Sequence, residues 1–138
     1  MHRYLVVANQ TLGGDHLVAL LRELAKESSS FHVLVPASPP VDHLWTEAEA
    51  NTIARSRLDT ALERFRELGI EATGEVGDAR PLQAIDDVLA RDSFDAIVLS
   101  TLPPRLSKWL RLDLVHRVQT SFGLPVHHVV SHRETIDV

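Results

Sequence analysis

The sequence predicts an α/β domain built on an open five-stranded parallel sheet with helices on both faces. Three observations carry this. Short apolar runs alternate with longer amphipathic segments along the whole chain. Leu5-Val6-Val7-Ala8 and Ala96-Ile97-Val98-Leu99 are continuously apolar, the mark of strands covered on both faces. A strict alternation of strand and helix forces crossover connections, which are right-handed and make the sheet parallel.

The elements follow in order. Tyr4 to Ala8 reads as the first strand, broken by Thr11-Leu12-Gly13-Gly14. Asp15 is placed to cap a helix whose Leu17, Val18, Leu21, Leu24 and Ala25 share one face. Ser28 to Ser30 ends it, and Phe31 to Val35 is the second buried strand. After the loop Pro36 to Pro40, Thr46 and Glu49 have capping-box spacing. The long helix that follows places Ala54, Leu58, Ala61, Phe65 and Leu68 at steps of three and four, with Gly69 as its C-terminal stop. Trp45, beside Leu44 ahead of this helix, is expected to serve as a staple or a contact. Ile70 to Val76 alternates weakly and predicts a more exposed third strand. Gly77-Asp78 turns into a helix with Pro81 in its first turn and Leu82, Ile85, Val88 and Leu89 along it. Ala96 to Leu99 is the fourth strand. Asp113 is placed to cap a last helix carrying Leu114, Val115, Val118 and Phe122. Gly123 closes it, and Pro125 to Val130 is the fifth strand. Residues 1–138 are expected to form one domain, without linker or repeat.

Composition narrows the function classes. At 138 residues and 44% apolar content the chain can bury one real core. The absence of cysteine excludes disulfides, thiolate zinc sites and cysteine nucleophiles. A net charge of −5 and a pI near 5.9 argue against a general nucleic-acid binder, whose affinity comes from clustered Lys and Arg on phosphates. The first apolar run is too short for a signal peptide or a membrane span, so a cytoplasmic protein with no membrane partner is expected. Among eight histidines, His127 and His128 alternate to opposite strand faces and no pair has zinc-site spacing with a neighbouring acid, so no metal site is expected. Asp86 and Asp87 point about 100° apart on a helix and read as a solvated face. No nucleophile has a visible base.

In an open parallel sheet ligands bind beyond the carboxyl ends of the strands, where the winding reverses. With the first strand central, those ends are Asn9-Gln10-Thr11 and Ser100-Thr101. Three segments together resemble the universal stress protein family: Leu5 to Thr11, Gly77-Asp78-Ala79-Arg80-Pro81, and Ala96 to Thr101 followed by Leu124-Pro125-Val126. The resemblance implies a Rossmann-like, adenine-nucleotide α-hydrolase-like sheet in the order 3-2-1-4-5. It also implies a homodimer through the last strand and an adenine nucleotide as the ligand to look for.

The chain departs from the family's phosphate loop. Glycines let a backbone approach phosphates and a helix N-terminus favours their charge. The three glycine positions of ATP-binding members hold Ser100, Pro103 and Leu112 here, and the last hydroxyl is replaced by Asp113. Thr101 matches the hydroxyl after the first glycine. The family's base-reading aspartate corresponds to Asn9, which can still bond an adenine edge. ATP is therefore expected to bind weakly or not at all in the family's pose.

The stretch Ser100 to Arg111 supports two readings. In one, Ser100, Thr101 and Ser107 donate hydrogen bonds while Arg105, Lys108 and Arg111 supply charge to a relocated nucleotide or anion site, reached also by Asn9 and Thr11. In the other, the segment is a rigid loop stiffened by Pro103-Pro104, with Trp109 plugging the core. The functional expectation is a non-enzymatic stress-response or regulatory domain. The alternative is a nucleotide-processing enzyme of the α-hydrolase-like superfamily, with Arg105 and Lys108 on a transferred phosphate.

Overall fold

The computed structural model describes residues 2–39, 45–103, 106–111 and 113–131, without the side chains of Lys108 and Arg111. The chain runs β1 (His2–Val7), α1 (Asp15–Leu24), β2 (Ser29–Pro36), α2 (Glu47–Glu67), β3 (Ala72–Gly77), α3 (Pro81–Leu89), β4 (Ala96–Thr101), the single turn α4 (Lys108–Arg111), α5 (Leu114–Phe122) and β5 (Val126–Val130). The five strands form one parallel sheet in the order β3-β2-β1-β4-β5.

Strand alternation sorts the core into two layers. Tyr4, Val6 and Ala8 of the first strand and its extension, with Val33, Val35 and Val98, face one layer, against Leu17 and Leu21 of α1 and Ala54, Leu58 and Phe65 of α2. Leu5 and Val7, with Leu34, Ile97 and Leu99, face the other, against Ile85 and Val88 of α3 and Leu114 and Val118 of α5. The expected helices on both faces are thus present. Trp45 packs against the first layer, as a staple would.

Local signals at the helix ends divide. Thr46 Oγ1 accepts from Glu49 N–H at 3.1 Å and caps α2 as its spacing predicts. Gly69 and Gly123 take the left-handed φ, +75° and +67°, that ends a helix. The two aspartates do not cap. Gly14 is the N-cap of α1 and Asp15 is already helical, because Leu12 is fully buried and the turn Gly14 N–H→Thr11 O (2.9 Å) fixes the entry one residue earlier. Asp113 sits at the N-cap of α5 with φ 57° and makes no side-chain cap bond, since that left-handed backbone follows directly from the turn of α4. Its side chain is not occupied as a cap.

The Gly77-Asp78 turn has a local explanation. A Cβ on Gly77 would meet Leu34 Cδ1 at 2.8 Å and Ala84 Cβ at 3.1 Å, so glycine is needed where β3 approaches α3. Asp78 Oδ1 accepts from Arg80 N–H at 2.8 Å, and its carboxylate takes the Arg80 guanidinium at 3.1 and 3.2 Å. At the β3 edge, Glu75 bonds His32 Nε2 (2.8 Å) and Arg91. Burial pushes its carboxyl up, but the hydrogen bonds from Arg91 and His32 and the coulombic pull of these two side chains together hold it below the ordinary glutamate value. Among the described residues no helix is long and apolar enough to cross a membrane.

Candidate functional site: the crevice at the β1 and β4 ends

The winding reverses between β1 and β4, so the crevice beyond their carboxyl ends is where a ligand is expected. The structure brings Asn9, Thr11, Ser100, Thr101 and Ser107 together there. Arg105 and the side chain of Lys108 lie outside the described residues, as does Leu112.

What the crevice lacks is room. Leu102 and Trp109 join these polar groups, and the space left is about 30 Å³. That holds a water or two. Trp109 is 8% exposed, with its ring in the layer formed by α3 and α5. It plugs the core.

The polar groups are bonded to their neighbours. Thr11 Oγ1 and Ser100 Oγ lie 2.6 Å apart, both buried. Ser107 Oγ accepts from Leu110 N–H at 3.1 Å and so serves the turn of α4. Asn9, 6% exposed, donates Nδ2 to Pro36 O (2.8 Å) and Ser38 O (3.2 Å), tying the end of β1 to the strand beside it. Its Oδ1 accepts from Arg57 at 2.7 Å. The edge that would read a base is spent on the backbone.

Arg57 is the residue that reading the sequence for sites missed. It is 7% exposed, in the middle of α2, with its guanidinium on Asn9. A signal was present: Arg57 lies three residues after Ala54 and four before Ala61, on the apolar stripe itself, where an arginine must find buried partners.

Thr101 Oγ1 and His128 Nε2 are 2.9 Å apart. Burial lowers the His128 pKa, so the ring is neutral at pH 7. A hydroxyl beside a neutral imidazole is the geometry of an activated nucleophile. Here Thr101 is itself 2% exposed, and the crevice it lines measures about 30 Å³. Among the described residues no cluster of three metal-ligating side chains occurs.

The chain matches no family model and no curated protein.

Proposed function

We propose that the chain is a non-enzymatic regulatory domain of the universal stress protein type, in which the nucleotide crevice has become part of the core and activity lies in association with a second copy. One observation carries the reading. The crevice at the strand ends, with Trp109 in its wall, measures about 30 Å³, while its hydroxyls and amide bond one another and the backbone. A domain of this sheet order that has filled its own ligand site keeps its surfaces to act with.

The β5 edge supports the second half. Ile97 N–H bonds Pro125 O, and Ser131 N–H bonds Thr101 O. Main-chain groups alternate in direction along a strand, so Val126, His128 and Val130 present theirs to the open side. Among the described residues β5 pairs only with β4. A two-fold partner strand satisfies such an edge.

Two readouts test the proposal together. Incubation with ATP·Mg is expected to release no ADP above the buffer rate. Sedimentation is expected to give a dimer that Val130→Pro converts to a folded monomer, since proline removes one outward N–H and leaves the β4 ladder intact. ADP release would restore the enzyme reading, and a wild-type monomer would remove the association.

A further inference from the structure

A second, larger space lies on the other side of Trp109. It is a groove of about 330 Å³ between the first turns of α3 and α5, at the lower end of the range for small-molecule sites. Trp109, Leu82 and Leu114 give it an apolar wall. Arg80 and Arg117 give it charge.

The two arginines differ. Arg80 is committed to Asp78 by two side-chain bonds, and that neutral pair contributes little net field. Arg117 is exposed and has no side-chain partner among the described residues. No carboxylate is among the described residues that line the groove. The first turn of α3 also opens here: Pro81 has no N–H, no side chain caps the helix, and the Leu82 and Gln83 N–H groups fall in the turn that has no intrahelical acceptors. First-turn amides, a guanidinium without a side-chain partner among the described residues and an apolar wall converge on one space.

We infer that this groove binds a small amphipathic anion, with an apolar body against Trp109, Leu82 and Leu114 and a single carboxylate or phosphate between Arg117 and the start of α3. The anionic head gains charge-assisted hydrogen bonds from Arg117 and from backbone donors at the positive end of the helix. The body gains burial against the apolar wall. Neither the crevice at the β1 and β4 ends nor its closure enters this inference.

The test uses the full chain and four probes: octanoate, phenyl phosphate, octanol and inorganic phosphate. Amide shifts of Leu82 and Gln83, with Trp109 fluorescence in a Trp45→Phe background, report occupancy. Octanoate or phenyl phosphate is expected to move both signals saturably, with the tighter of the two naming the head group. Arg117→Gln is expected to weaken that binding about tenfold, as loss of one charge-assisted hydrogen bond does. Arg117 is exposed, so this variant keeps its fold. Octanol binding as tightly as octanoate would remove the anion requirement, and inorganic phosphate binding as tightly as phenyl phosphate would remove the apolar one. Unmoved Leu82 and Gln83 amides with every probe, or an Arg117→Gln variant of unchanged affinity, overturns the inference.

Discussion

Trp109→Ala is expected to lower the unfolding free energy by about 3–5 kcal/mol, the cost of deleting a large buried aromatic. The ring is 8% exposed and lines both the 30 Å³ crevice and the 330 Å³ groove, so its removal enlarges both spaces. Leu102 and the paired hydroxyls of Thr11 and Ser100 are anchored to the strand ends and cannot collapse inward to fill the volume. The residual cavity therefore stays open, which places the loss toward the upper part of that range. The melting temperature should fall by roughly 10–20 °C for a chain of this length. Added indole is expected to recover part of the loss, because a ligand that binds only the folded state stabilises it by mass action. Calorimetric scans with and without indole read both effects. A loss below about 1 kcal/mol would place Trp109 on a yielding surface rather than in the plug.

Asn9→Asp is the second large effect, and its direction separates two accounts of the same residue. If position 9 served a base-binding site, an aspartate would be at home there, next to Arg57. In the structure Nδ2 donates to Pro36 O and Ser38 O, and a carboxylate would turn an oxygen toward both carbonyls. Two buried acceptors lose their donor, at about 1–3 kcal/mol for a buried group left unsatisfied. The stronger pairing with Arg57 at the Oδ1 side returns a part of this. The net expectation is a loss of about 2–3 kcal/mol in chemical denaturation at pH 7. A neutral or stabilising result would mean that the end of β2 does not depend on Asn9.

The legible parts of the sequence were those where one force dominates. β1 and β4 contain continuous apolar runs, and β2 one interrupted only by His32, because both faces of the sheet are covered. Thr46 acts through a hydroxyl that reaches its own helix, and Gly69, Pro81 and Gly123 through their backbone, so each marks its helix end correctly. Asp15 failed as a cap because α1 starts one residue earlier, with Gly14 at its N-cap, and Asp113 failed because it holds the N-cap position of α5 in a left-handed backbone and makes no cap bond. The site was legible as a place and not as an occupant. Asn9, Thr11, Ser100, Thr101 and Ser107 do converge, since topology alone brings strand ends together. Whether their hydrogen bonds go to a ligand or to each other depends on distances of a few tenths of an ångström and on where Trp109 comes to rest. Ser100 at the end of β4 was the one local hint, since its hydroxyl is the one that pairs with Thr11. Arg57 was hidden by its surroundings, because an arginine in a charged helix of low mean hydropathy reads as solvated unless its place on the stripe is checked.

The crevice at the β1 and β4 ends is filled by the protein's own side chains. The most direct measurement is a titration of the wild-type chain with ATP·Mg, followed at the backbone amides of Asn9, Thr11, Ser100 and Thr101. The account predicts that these four amides stay where they are at millimolar nucleotide. Saturable movement of all four would contradict it.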